Sequence, residues 1–420
     1  MEYALPTRFV FFPFDRIAIP LMRSPPIGLL VLLALCAARL GGQQPITRQQ
    51  AIDAAITRGP RAAIARADTL VGSAGLIAAR QWENPGLALT YSKSTPNYHE
   101  ILDLPLDISG ARSARIASAR ATRLASQYRF RFERAAAALD ADTTYTRSLA
   151  AVGHLRLARR NAHDADSLRR MAIVRRDAGD ASELDVLLAT VNAGQAANLA
   201  AVDSLTFVST LFDLQAVMGL DTSIVTVVPT DSLVLPPTAD STLTTTLPLP
   251  IAAAQQSLSA AELSVRAQRR SIFAPFSLQA GIEHGDPSES GVLPTFGVSI
   301  PVPLLNRNRG GIAQAEAERA RARAELALAR LETKTAIARA QRQRTVALER
   351  IRRDQQLVES ANRIVTMSLT AYREGAQGLP AVLEAQRNAR DILSQYIDDV
   401  AEAWIATAVV RLYNLTAQYP

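Results

Sequence analysis

The stretch PVPLLNRNRGGIAQAEAERARARAEL, Pro301 to Leu326, decides how this chain is read. It begins as an apolar run spaced by prolines. Asn306, Arg307, Asn308 and Arg309 then meet two glycines, and from Ile312 the chain becomes an alanine-rich, charge-dense helix. A strand that gives way to a long charged helix within a few residues marks a boundary between two environments. Proline ends regular strand pairing, and the polar bend separates the two regimes.

Working outward, the same plan occurs twice at an offset of 196 residues. Pro105 meets Pro301, Ile116-Ala117 meets Ile312-Ala313, Met171 meets Met367, Gly179 meets Gly375, and Val186-Leu187 meets Val382-Leu383. Coincident Pro, Met and Gly residues at one offset make an internal repeat. Each copy opens with helix (46–59, then Pro60 to about Trp82; in the second copy about Pro250 to Ser271). Two strand segments follow, 86–94 with 99–108 and 276–285 with 293–302. Ile101, Asp103, Pro105 and Asp107 alternate with Leu102, Leu104, Leu106 and Ile108, the period of a strand with one apolar face. At about ten residues these strands have the length of a membrane-barrel strand.

Helices over about Ala111–Asp177 and Gly311–Glu374 come next, each about 95–100 Å long at 1.5 Å per residue. In the second, Ala313, Ala317, Ala320, Ala324, Leu328, Leu331, Thr335 and Ala338 step by four and three, the spacing of a coiled-coil seam. Ala117, Ala121, Leu124, Tyr128, Phe132, Ala135 and Leu139 stand for it in the first. Each long helix ends at a glycine turn, near 179 and near 375, and a helix returns to about Met218 and about Thr416. The expected organisation is a targeting segment over 1–42, a first repeat over 43–223, an irregular Pro/Thr/Ser-rich linker over 224–248 and a second repeat over 249–420.

The chain has 420 residues and a formal net charge of +7, carried almost wholly by arginine, with Lys93 and Lys334 the only lysines. That spread, mixed-sign charge gives no reason to expect a nucleic acid partner. Met22–Pro45 has the charged start, apolar core and small-residue end of a secretory signal, and either Met1 or Met22 can be the start. Cys36, the sole cysteine, falls inside it, so cleavage leaves no thiol, while lipidation there stays open. His99, His154, His163 and His284 are scattered without metal-ligand spacing. No phosphate loop or hydrolytic motif is present, so neither an enzyme nor a cofactor is expected.

Four strands cannot close a barrel, and an open strand edge cannot sit in lipid, so a membrane reading requires several chains. At this point the chain resembles the TolC-like outer-membrane efflux channels, and most nearly their heavy-metal and cation efflux branch. The residues that carry the resemblance are LPLDISGARSARIASARA (104–121), IPVPLLNRNRGGIAQAEAE (300–318), AGDASELDVLLA (178–189) and YREGAQGLPAVLEAQR (372–387).

The resemblance implies an α+β membrane protein whose long helical hairpins continue a trimeric twelve-stranded barrel in the outer membrane of a Gram-negative-type bacterium. Each of three chains would give four strands, and a large periplasmic portion would meet an adaptor and an inner-membrane pump, RND-type among the candidates, that supplies the energy for passive conduction. It implies adaptor docking at Arg176, Gly179, Ser182, Leu184, Tyr372, Gly375 and Leu379. Pore-gate candidates are Asp185 and Glu384, for which a tunnel ring and a solvated helix face are both open, with Asp177, Arg373 and Glu374 as an ion-pair latch at the tip. Gly110, Arg112, Asn306, Arg307, Gly310 and Gly311 form the strand-to-helix bends. The competing expectation is a periplasmic coiled-coil adaptor or scaffold, which the duplicated strand pair disfavours.

Overall fold

The computed structural model describes residues 44–237, 247–272, 276–288, 291–300, 302 and 304–414. The expected signal, Cys36, Pro301 and the middle of the linker lie outside these residues. The elements in chain order are β1 (Gln44–Ile46), α1 (Arg48–Arg58), α2 (Pro60–Arg80), β2 (Gly86–Tyr91), β3 (Tyr98–Leu106), α3 (Ala111–Asp177), α4 (Glu183–Met218), β4 (Val227–Pro229), α5 (Leu249–Arg270), β5 (Phe276–His284), β6 (Leu293–Ser299), α6 (Arg309–Arg373) and α7 (Leu379–Asn414). The repeat is therefore physical, since α3–α4 and α6–α7 are two helical hairpins whose turns fall 196 residues apart. It is out of step only before β3 and β6, because β5 with its connection to β6 (276–292) is longer than β2 with its connection to β3 (86–97).

The four strands form one antiparallel sheet in the order β2-β3-β5-β6. Its register places Leu87, Leu102, Ala280 and Phe296 in one row and Leu104, Leu278 and Val298 in the next, all on one face. Phe296 is 79% exposed and Leu89 70%, so among the described residues this apolar face has no cover. The other face carries Thr90, His99, Asp103, Gln279, Glu283 and Thr295. The two faces thus separate by the pleat alone. β2 and β6 each have one unpaired edge.

Below the sheet the helices form a wall. α3 packs against α2 and α4 on one side and against α5 and α7 on the other, and α6 packs against α5 and α7. The edges of the wall are therefore α2 with α4 at one end and α6 at the other. In α6 the buried residues are Ala315, Ala322, Leu326, Thr333, Ala340 and Ala347, continued by Ile351, Asp354, Ala361, Ser368 and Tyr372. Their steps of seven, four and three are heptad spacing, and the small residues let the backbones approach closely.

This seam corrects the expected one. All eight residues from Ala313 to Ala338 named above are exposed, Leu331 at 64%. Their counterparts on α3 are half-buried, with Leu124 exposed. An alanine-rich helix displays more than one stripe with steps of three and four. Periodicity sets the pitch of the seam but not its phase, and here the expected stripe is the one turned away from α5 and α7.

The bends are built by polar side chains. Asp107 accepts from the backbone N–H groups of Ala111 (3.1 Å) and Arg112, so it caps α3 from outside the helix. Its carboxyl lies below its ordinary value: burial opposes this, and the hydrogen bonds from Arg112, Ser109 and Ala111 overcome it. Gly110 holds φ 68°, and Arg112 donates to the carbonyl of Arg80 and covers the Trp82 ring at 4.0 Å.

In the second copy the left-handed residue is Asn308 (φ 50°, ψ 30°), whose amide donates to Gln268 O at 2.9 Å and Ser271 Oγ at 2.8 Å. Asn306 and Arg307 lie in the bend. Gly310 and Gly311, expected there, belong to the first turn of α6, which begins at Arg309. Gly311 is needed for close approach, since a Cβ there would come within 2.4 Å of Asn308 Oδ1. The fourth strand ends at Ser299, short of the expected 302.

The expected linker is ordered over its first part. β4 pairs in parallel with β1 (Gln44↔Val227). Asp231 accepts from Tyr145 Oη at 2.9 Å and from the Arg48 N–H at 2.9 Å, and Trp404 Nε1 donates to Val234 O. Residues 227–235 are thus a strap that ties the start of the first repeat to the end of the second. Tyr145 is fully buried, and burial, opposed in part by backbone hydrogen bonds, pushes its hydroxyl up to about 12. Tyr145→Phe leaves the packing but strips the donor from Asp231 and Ile46 O. A loss of about 1–2 kcal/mol in chemical denaturation is expected. An unchanged midpoint would show that the strap is held by its strand pairing alone.

Candidate functional site

The hairpin tips gather most of the residues singled out in the sequence. Both end by the same hydrogen-bond pattern. Asp180 N–H donates to Arg175 O (2.8 Å) and Gly179 N–H to Arg176 O (2.8 Å). Ala376 N–H donates to Ala371 O (2.8 Å) and Gly375 N–H to Tyr372 O (3.2 Å). Gly179 (φ 84°) and Gly375 (φ 75°) supply the left-handed residue that this helix stop requires. Both are exposed, and among the described residues no atom lies within 4 Å of where a Cβ on Gly179 would sit.

Beneath the turns lies a small apolar core of Leu168, Ala172, Val186, Ala189, Tyr372, Leu379 and Val382. Tyr372 is 2% exposed and Leu379 0%. This corrects their expected role: they hold the two tips together from inside and present no side chain to a partner. Leu184 (63% exposed), Ser182, Gly179 and Gly375 face outward, and Arg176 is half-buried. Burial, aided by the Asp185 carboxylate, pushes the Tyr372 phenol up against the pull of Arg175.

The acidic candidates separate. Asp185 is half-buried and committed, because its carboxylate accepts from the Ser182 N–H (3.1 Å) and hydroxyl (3.0 Å) while Ser182 Oγ accepts from the Asp185 N–H. That reciprocal capping box opens α4. The repeat confirms its local purpose, since Gly378 and Ala381 occupy the matching positions. Glu384 is exposed, 62% at its side chain, with Asn388 at 3.3 Å and Arg387 at 4.0 Å.

The expected ion-pair latch of Asp177 with Arg373 and Glu374 does not form. Asp177 pairs with its neighbour Arg176 (2.7 Å), which also reaches Glu183 (3.1 Å). Arg373 and Glu374 are exposed and, among the described residues, form no ion pair. The side chain that joins the tips is Arg175, absent from the sequence reading. It donates to Tyr372 O and to Asp180 O (3.3 Å), and its guanidinium lies 4.7 Å from the Tyr372 ring centre. Its repeat position holds Ala371, and a charge where the other copy keeps alanine is the signal that could have found it.

On the polar face of the sheet, His99 Nδ1 lies 3.2 Å from Glu283 Oε1 across β3 and β5. On the apolar face Tyr91, Tyr98 and His284 form an aromatic row at one end, with ring centres 5.3 Å and 4.8 Å apart. Among the described residues no group of three or more His, Cys, Asp or Glu side chains is placed to hold a metal ion.

Comparison with known proteins adds to this geometry. The family model described as outer membrane efflux protein matches residues 249–418. No curated protein matches the chain in sequence. Among solved structures, a membrane protein from Pseudomonas aeruginosa is similar at 20% identity and TM-score 0.73, over 88% of this chain and 93% of that one. The Campylobacter jejuni CmeC outer membrane channel is similar at 15% identity and TM-score 0.74, over 87% and 85%. CusC, described as forming a transmembrane channel, is similar at 16% identity and TM-score 0.71, over 88% and 92%. The fold is therefore that of these channels, and CusC and CmeC are similar to this chain to nearly the same degree.

Arg175→Ala removes both hydrogen bonds and the ring contact between the tips. Faster amide exchange over 168–189 and 369–383 is expected, with a local loss of about 1–2 kcal/mol and an unchanged global midpoint. Unaltered exchange at both tips would mean that the apolar core alone joins them.

Proposed function

We propose that this chain is one protomer of a trimeric outer-membrane efflux channel, which conducts passively what a periplasmic adaptor and an inner-membrane pump deliver. The observation that carries this reading is the placement of uncovered apolar surface on the edges of the wall. Ile64, Leu70, Val71 and Ile77 on α2 and Leu184, Leu187, Val191, Val202 and Leu205 on α4 are all more than half exposed. So are Leu328, Leu331, Ile364 and Met367 on α6. Among the described residues no large apolar side chain of α5 or α7 is exposed to that degree, and on the central helix α3 Val174, beside the tip, is the one that is.

Single chains rarely leave such stripes open, and two different edges that need cover fit a head-to-tail ring. The sheet has the same demand, with unpaired edges at β2 and β6 and one apolar face of membrane-strand length. One ring satisfies all of these together, with lipid against the apolar face and the His99, Asp103 and Glu283 face toward the lumen.

α4 also contains a window apolar enough to cross a membrane (mean hydropathy 1.2), only 22% of it buried. Its exposed residues recur by threes and fours along one face, which suits a neighbouring helix in a ring. The family match over the second repeat and the shared fold support the channel over a periplasmic adaptor or scaffold. In this reading the exposed tip residues Arg176, Gly179, Ser182, Leu184 and Gly375 meet the adaptor. Glu384, whose carboxylate is not consumed by a cap, is the remaining pore-gate candidate. Heavy-metal or other cations as cargo rest on the sequence resemblance.

Val191 on α4 and Ile364 on α6 lie at similar distances from the tips, on opposite edges of the wall. The mature chain is expected to lack cysteine, so Val191→Cys with Ile364→Cys tests the ring directly. Oxidised outer-membrane fractions should give dimer and trimer bands, and each single variant none. A chain recovered only as soluble monomer would sink the proposal. For the gate, Glu384→Gln should lower cation preference in planar-bilayer conductance, and an unchanged reversal potential would remove Glu384 from the pore.

A further inference from the structure

The second hairpin buries two carboxylates that the channel reading does not use. Asp354 is on α6 and Asp399 faces it from α7, 9% and 1% exposed. Asp399 Oδ1 accepts from Arg350 Nη2 (2.9 Å) and Gln395 Nε2 (2.9 Å). Asp399 Oδ2 and Asp354 Oδ2 are both buried, and neither has a donor. The two carboxyls lie within hydrogen-bonding reach of each other. Two ionised carboxylates can only accept, so neither can satisfy the other, and a buried acceptor without a donor is costly.

Charge points the same way. From α6, Arg350 and Arg353 face the pair, and Arg350 is shared with Glu402 of α7. Beyond α7, a cavity of about 220 Å3 between α3 and the strap brings Arg156, Asp231 and Tyr396 to the other side of Val400. Among the described residues Arg350 is the cation that contacts the pair directly, and it also serves Glu402.

We infer that Asp354 and Asp399 share one bound proton, so that an O–H···O bond ties α6 to α7 at mid-wall and makes their packing sensitive to pH. A single proton turns two orphaned acceptors into a donor and an acceptor and removes one buried charge. Burial first, then the hydrogen bond and charge of Asp399, holds the Asp354 carboxyl above its ordinary value despite Arg350 and Arg353. The stabilisation is therefore complete below the unfolded value and is lost as pH rises through the folded one. The tie sits beside the packed group of Ala347, Ile351, Val400 and Ala403, so its loss loosens the hairpin where α6 and α7 otherwise meet through small side chains.

Infrared titration of the purified full-length chain tests this, read together with thermal denaturation against pH. A protonated carboxyl band that persists above the pH range in which an exposed aspartate ionises is expected. It should vanish in Asp354→Asn, whose amide can donate to Asp399 in its place, and the alkaline loss of thermal stability should flatten in that variant. Asp399→Asn keeps Arg350 but removes the neighbouring charge, and should move the band to lower pH. A wild-type chain without that band overturns the inference whether or not the variants fold. So does a band, or a pH profile, that neither variant changes.

Discussion

Everything in this molecule follows from open edges. A wall of helices and a sheet of four strands each have two sides that the single chain cannot pair. A backbone edge in lipid costs several kcal/mol for each unmet group, and an apolar helix stripe in water gives up the burial that made it worth encoding. The chain covers the large apolar side chains of α5 and α7, and of α3 apart from Leu124 and Val174, and leaves α2, α4 and α6 apolar on the outside. That distribution lies mainly on the edges, which is where the proposed ring would cover it.

The duplication explains how the protomer reaches that state. One strand pair and one hairpin make half a wall, and the second copy makes the other half by nearly the same backbone. Three devices bind the copies. The strap over 227–235 joins β1, Tyr145 and Trp404, the central helix α3 packs against α7 below and α5 above, and Arg175 clips the tips. None of these repeats within the chain. A tandem duplication supplies identical halves, and the contacts between halves have to arise afterwards in one copy only.

This asymmetry sets what was legible in the sequence. The long helices, the glycine turns and the strand pairs were readable because they rest on local rules: period two, period 3.6, and glycine at a left-handed stop. The helix α3 was placed at its observed ends, and the faces of β3 were assigned correctly from Leu102, Leu104 and Leu106 against Asp103 and Pro105. What failed was phase and partnership. The seam of α6 was set on Ala313 and Leu331 rather than Ala322 and Leu326, since an alanine-rich helix gives several stripes equal weight. Tyr372 and Leu379 looked like surface because they flank a turn, yet two tips pressed together turn them inward. The strap looked irregular because strand pairing between residues 44 and 227 leaves no local trace.

Polar side chains at the helix starts carry the same lesson at the level of the site. Asp185, Asp107 and Asn308 all sit where helices begin, and their side chains are spent on backbone groups that would otherwise be bare. A carboxylate beside a turn is therefore first a cap, and only one freed from that duty, such as Glu384, is available to a pore. Arg175 opposite Ala371 and Asp354 opposite Ala158 are the reverse case: charges that stand where the other copy keeps alanine. In a duplicated chain the shared positions encode the architecture, and each unshared buried charge has to be matched by a contact that only one copy makes. Arg175 is matched by the carbonyl of Tyr372, and Asp354 would be matched by the facing Asp399 through the proton inferred above. Departures from the repeat are thus where the specific chemistry of such a chain should be sought first, ahead of residues chosen for their type or their nearness to a turn.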